Sequence, residues 1–134
     1  MSVRYLLDTN AVIALMRGNE ELVRLFAETL ESGGDFEYSV ITQAEIAAGL
    51  HKYTDKSAIL RFLGAVSFIE VTQDIARKTG DFRSRRLGAG YKNPKLPDAL
   101  IMITAAEHGY TLVSNDTGMA CVEELGGQLR RFED

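Results

Sequence analysis

A chain of 134 residues has room for one compact domain spanning 1–134, and at that size it buries enough surface to fold without disulfides or a structural metal. Cys121 is the only cysteine, which excludes an internal disulfide and any zinc cluster built on paired cysteines. The net charge of −4 argues in bulk against a nucleic-acid partner, so such a partner requires a locally basic surface.

At the N-terminus, Arg4 and Asp8 interrupt the apolar core that a signal peptide would need. The longest nearly apolar run, 99–106, falls far short of the ~20 residues of a membrane span. A soluble, cytoplasmic domain is the expectation. Residues 3–7 are a short apolar run ending in Asp8-Thr9-Asn10, the pattern of a buried strand that delivers polar groups at its C-terminal end. A helix is predicted over 11–16, stopping near Gly18. Leu22, Phe26 and Leu30 at four-residue spacing predict an amphipathic helix over 20–31, closed by Gly33-Gly34. A second strand follows over 36–41, then helices over 42–52 and 55–66, the latter with Ile59, Leu60, Leu63 and Val66 on one face. Residues 67–71 read as a third strand. The helix over 72–87 turns Ile75, Thr79 and Phe82 inward and basic side chains outward.

Charge is distributed unevenly from here on. Seven of the fifteen basic residues (Arg77, Lys78, Arg83, Arg85, Arg86, Lys92 and Lys95) lie in 77–95 against Asp81 alone, a net of +6 that leaves the rest of the chain at −10. Such a run is either a phosphate-binding stripe, with Arg83, Arg85 and Arg86 as its RNA-binding candidates, or a solvated helix face. A glycine- and proline-containing loop over 88–96 leads into an apolar helix over 97–108, ended by Gly109. A fourth strand over 110–113 runs into Ser114-Asn115-Asp116, followed by a helix over 117–125, a turn at Gly126-Gly127 and an edge strand over 128–132. Strands alternating with helices predict an α/β sandwich with a mainly parallel sheet, in which ligands bind beyond the carboxyl ends of the strands.

Four acids fall at such places, and each also has a purely structural reading. Asp8 follows a central strand but also suits the N-cap of the next helix. Glu45 closes a Thr42-Gln43-Ala44-Glu45 capping box, yet stands one turn into a helix that follows the second strand. Asp98, after Pro97, carries ordinary helix-start signals, but it sits at the mouth of a helix buried on most sides, where a charge is costly unless compensated. Asp116 ends another buried strand within good turn chemistry. A parallel sheet puts all four on one edge. Two carboxylates 4 Å apart repel by about 4 kcal/mol at an effective dielectric near 20, so convergence of four calls for a cation. Hard oxygen ligands select Mg²⁺ or Mn²⁺.

In order and spacing, the segments YLLDTNAVIAL, SVITQAEIAAGL and LPDALIMITAAEHGYTLVSND resemble the PIN-domain family, specifically the VapC-type toxins of toxin–antitoxin pairs. The resemblance covers nearly the whole chain. It implies a three-layer α/β/α fold, Mg²⁺- or Mn²⁺-dependent cleavage of RNA, a homodimer and inhibition by a cognate antitoxin protein. The family's first three acids carry over onto Asp8, Glu45 and Asp98. Asp116 fits the fourth position behind Ser114, which matches the family's small hydroxyl that orients the first aspartate. A further family aspartate has no counterpart here, where Met119-Ala120 stand, so the number of metal ions is open. Thr9 and Asn10 are expected to support the site.

The implied chemistry is in-line attack by metal-activated water, leaving a 5′-phosphate and a 3′-hydroxyl. His51 and His108 are the only histidines, and no nucleophile triad is evident. Two other readings remain. Asp8-Thr9-Asn10 superficially matches the start of a haloacid-dehalogenase-like phosphatase, although Asn10 cannot be that enzyme's proton donor. A catalytically silent PIN-like module would grip RNA through the basic stripe without cutting it.

Overall fold

Leu6 and Leu7 lie in the middle strand of five and have no exposed surface. A computed structural model describes residues 3–134. Its strands are β1 (Arg4–Leu7), β2 (Asp35–Ser39), β3 (Ser67–Ile69), β4 (Thr111–Ser114) and β5 (Gln128–Arg131), hydrogen-bonded in the order β3-β2-β1-β4-β5. All four pairings are parallel, with Leu7 opposite Tyr38 on one side and Val113 on the other.

Successive strand side chains point to opposite faces, so one strand feeds two cores. Tyr5, Leu7, Phe36, Tyr38 and Val113 pack against α1 (Thr9–Met16), α2 (Glu20–Glu31), α3 (Val40–Ala48) and α4 (Lys56–Ala65). Leu6, Ile69 and Leu112 pack on the opposite face against α5 (Gln73–Gly88) and α6 (Leu96–His108), together with Met119 and Val122. The result is a three-layer α/β/α sandwich. Each fully buried Leu, Ile or Val contributes about 1.5–3 kcal/mol to it. Two tight places hold the layers. The left-handed Gly109 (φ 70°) ends α6 and turns the chain into β4. At Gly34 an added Cβ would lie 2.5 Å from the Val3 carbonyl oxygen, so only glycine lets α2 pass this close to the start of β1.

Several predicted details are corrected. Leu30, placed inward by four-residue spacing, is 57% exposed, and Leu60, placed on one face with Ile59 and Leu63, is 56% exposed. Four-residue steps drift around a helix of 3.6 residues per turn, by about 80° from Leu22 to Leu30. The buried face of α2 is instead Leu22, Leu25 and Thr29. Helix α3 starts at Val40, capped by Ser39, whose Oγ accepts from the Ile41 N–H at 3.0 Å. It ends at Ala48, and Leu50–Lys52 form a separate 3₁₀ turn. Thr117–Leu125 is a 3₁₀ helix rather than an α-helix.

Candidate active site

The sheet order reverses between β1 and β4, and the crevice beyond their carboxyl ends is where an open parallel sheet binds its ligands. Asp8 sits there, 2% exposed, directly after β1. Its N–H donates to the Val113 carbonyl (3.1 Å), which ties the acid to β4, and its Oδ1 accepts from the Ala11 N–H (2.8 Å). Asp8 therefore caps α1, as its structural reading expects, and does so in the crevice where its functional reading needs it. Burial pushes its carboxyl up to about 6, against hydrogen bonds from the Ser114 hydroxyl and Ala11, and the charges of Asp98 and Asp116 push it further up.

The other acids arrive from three more elements. Asp98 occupies the first turn of α6, whose N-terminus faces the same sheet edge because α6 runs back toward the start of β4. It is half-buried, and desolvation together with Glu45 and Asp116 raises its pKa, while Lys95 pulls the other way. Asp116 follows β4, exposed, and caps the 3₁₀ helix by accepting from the Gly118 N–H (2.8 Å). Ser114 joins two of the acids: its hydroxyl bonds Asp8, and its oxygen accepts from the Asp116 N–H (3.0 Å).

Glu45 is where the capping-box reading fails. Because α3 begins at Val40, Thr42 is already inside the helix and Glu45 has no N-cap partner there. Its Oε1 instead accepts from the hydroxyl of Thr9 (2.6 Å), and the hydroxyls of Thr9 and Thr42 stand 3.3 Å apart. Thr9 thus turns Glu45 toward the other acids. Asn10 lies farther out, where its Nδ2 donates to Asn115 Oδ1 (3.2 Å) and Asn115 in turn reaches Asp134.

Among the described residues, no three Asp, Glu, His or Cys side chains are grouped so as to hold one metal ion unaided. Asp98 and Asp116 are nonetheless near enough to Asp8 for their charges to raise its pKa, and Mg²⁺ commonly needs only one or two carboxylates and keeps several waters. Burial is the main cause of the raised pKa values of Asp8 and Asp98, and the neighbouring carboxylates add to it.

The basic stretch looks different in three dimensions. Arg77 pairs with Asp74 (2.6 Å) and Asp81 (3.6 Å), and Lys78 with Glu107 (2.7 Å) and Asp74 (3.1 Å). Arg86, its side chain only 12% exposed, grips both oxygens of Glu124 and donates to the Lys92 carbonyl (3.0 Å). Asp74, Glu107 and Glu124 all lie outside the 77–95 window, which is why a linear count misses them. Arg83 and Arg85 each use Nε on a backbone carbonyl, of Pro94 (3.1 Å) and Asp81 (3.4 Å), which aims the guanidinium without cancelling its charge.

The PIN domain family model matches residues 5–125, a span that contains all four acids. Ribonuclease VapC51 of Mycobacterium tuberculosis (strain ATCC 25618 / H37Rv) is 27% identical over 128 residues, covering 96% of this chain and 91% of that protein. The fold is similar to VapBC2 from Rickettsia felis, solved bound to a promoter DNA fragment, with a TM-score of 0.79 at 21% identity over 98% of this chain and 100% of that one. A toxin–antitoxin complex from Klebsiella pneumoniae is similar at a TM-score of 0.65 and 31% identity, over 84% and 87% of the two chains. By its sequence match and its fold, the chain belongs to the PIN-domain family.

Proposed function

We propose that the protein is a metal-dependent endoribonuclease, the toxin of a toxin–antitoxin pair. The observation that carries the reading is Asp8: a nearly buried carboxylate, held from two strands and pushed up to about 6, with Asp98 of α6 and Asp116 after β4 near enough to add to that rise and Glu45 of α3 acting in turn on Asp98. The ribonuclease and toxin–antitoxin relatives support the same reading.

Asp8, with Asp98 or Asp116, would hold Mg²⁺ or Mn²⁺. Such an ion would supply a water of lowered pKa and would polarise the scissile phosphate. Ser114 keeps Asp8 oriented. Glu45, which accepts a hydrogen bond from Thr9, would take the proton of the attacking water or hold that water at one remove. Attack on phosphorus breaks the P–O3′ bond, and the leaving 3′-oxygen takes a proton, giving a 5′-phosphate and a 3′-hydroxyl. Lys95, beside Asp98, together with Arg83 and Arg85, offers positive charge to the RNA backbone. Single-stranded loops are the fitting target, because their bases are open to contact. A cognate antitoxin and a second copy of the chain are the expected protein partners.

The test is incubation with total cellular RNA in Mg²⁺, in Mn²⁺ and in EDTA, with the cut ends mapped. Cleavage in either metal, none in EDTA, and 5′-phosphate ends are expected. Binding without cleavage in both metals would make the chain a silent RNA-binding module and overturn the reading.

A further inference from the structure

Tyr91 lies in the loop between α5 and α6, 62% exposed, and yet it is firmly held. Its N–H donates to the Arg86 carbonyl (2.9 Å), immediately after Gly90 turns the chain with φ at 82°. The Arg86 guanidinium carbon stands 5.3 Å from the ring centroid, within cation–π range, and 5.7 Å from the ring of Phe82. Arg86 is itself locked by Glu124 and the Lys92 carbonyl. A guanidinium therefore supports the ring while most of its surface meets solvent.

We infer that Tyr91 is a stacking platform for one base of the RNA, on the loop that leads into the site; the inference rests on the nuclease reading above. Three observations point to a base rather than an apolar partner. The loop carries Lys92 and Lys95, and Arg83 is bonded to its Pro94 carbonyl, so the ring's surroundings are cationic. The loop delivers the chain into α6 within a few residues of Asp98, and Lys95 is close enough to Asp98 to favour its charged form. Arg86 links the ring through Glu124 to the 3₁₀ helix that Asp116 caps, so the platform is tied to the element that begins at one of the acids. An immobilised aromatic beside cations is how single-stranded nucleic acid is gripped without reading its sequence. Leu87 and Leu96, 69% and 50% exposed at the loop's two ends, add apolar surface nearby.

The test measures binding of a fluorescein-labelled, ten-nucleotide single-stranded RNA in Mg²⁺, in an Asp8→Asn background that prevents cleavage. Tyr91→Ala should raise Kd about 5- to 100-fold, whereas Tyr91→Phe and Tyr91→Trp should stay near the parent value. A series of the same RNA with one abasic sugar, moved a nucleotide at a time, separates stacking from loop support. One position should reproduce the loss in the Tyr91 protein and add nothing in Tyr91→Ala. In the cleaving protein the same substitution should raise KM and leave kcat nearly unchanged. An unchanged Kd, or an equal loss at every abasic position in both proteins, overturns the stacking role. A smaller mass in solution for Tyr91→Ala with the same RNA affinity also overturns it, because the ring then packs against a second copy. Cleavage by the unaltered chain with an inert Tyr91→Ala refutes stacking alone. Absence of both cleavage and RNA binding in the unaltered chain refutes the nuclease reading, and this inference with it.

Discussion

The Asp8 carboxylate caps α1, and in the proposed nuclease it would also hold the metal; the two roles respond differently to substitution. Asparagine caps a helix about as well as aspartate, so Asp8→Asn keeps the bond from the Ala11 N–H while removing the charge. Asp8→Asn and Asp98→Asn are each expected to abolish RNA cleavage with an unaltered circular dichroism spectrum; full cleavage by both in Mn²⁺ would remove these residues from the site. The same charge has a cost in the metal-free protein. The carboxyl of Asp8 titrates near 6 when folded, against an ordinary aspartate value of 3.8, so the folded protein binds that proton more tightly than the unfolded chain does. Its contribution to stability is complete below about pH 4 and is lost as pH rises through 6, a change of about 3 kcal/mol. In EDTA, Asp8→Asn should therefore melt above the parent, with an advantage that grows from pH 4 to 6 and then levels off. Excess Mg²⁺ should reverse the order, since only the parent gains the full binding free energy. Melting curves that never cross on adding metal would refute the account.

Elements, more than single residues, decide what can be read from the chain alone. The alternation of apolar runs and helical patterns carried the α/β class, because a strand buried on both faces, such as β1 or β4, has to be continuously apolar. As candidates, Asp8 and Asp116 were legible for the same reason: Asp8 directly follows such a strand and Asp116 lies two residues beyond one. Glu45 was ambiguous, because the capping-box pattern and a site position look alike until the helix start is known, and Ser39 moved that start ahead of Thr42. The net charge of the basic stripe was overstated, because Asp74 stands just before it in α5 and Glu107 and Glu124 reach it from α6 and the 3₁₀ helix, far along the chain. Tyr91 gave no signal within a loop marked by its glycines and proline. Two element-scale outcomes follow. Glu124→Gln leaves the largely covered Arg86 without its anionic partner and should cost about 1–2 kcal/mol in chemical denaturation. Gly34→Ala forces a methyl into the Val3 carbonyl and the Thr29 side chain and should cost about 1–3 kcal/mol, whereas a neutral result would mean that α2 can back away from β1.

At the scale of the whole molecule, the charge that matters for RNA is what the internal pairs leave over. Arg77, Lys78 and Arg86 are spent on carboxylates, so replacing Arg83 and Arg85 with Gln should do most to the salt dependence of RNA binding. Each phosphate that is no longer neutralised lowers the slope by roughly 0.7 for a single strand. An unchanged slope would return both arginines to the role of solvated helix residues. The sheet order has a further consequence, in time rather than in space. The central strand β1 is synthesised first, but its neighbour β4 comes only with residues 111–114, and Phe132, packed in the same core as Tyr5, later still. A nascent chain stalled before β4 has Asp8 without Ser114 to orient it, without the Val113 carbonyl to anchor it, and without Asp116 beside it. Domains are made from the N-terminus onward, and pairings so distant in sequence form only when both strands are free of the ribosome. In the nuclease proposed above, a chain still short of β4 would hold its first acid without the surroundings that make a site, and RNA cleavage would begin only after residues 111–114 have paired with β1.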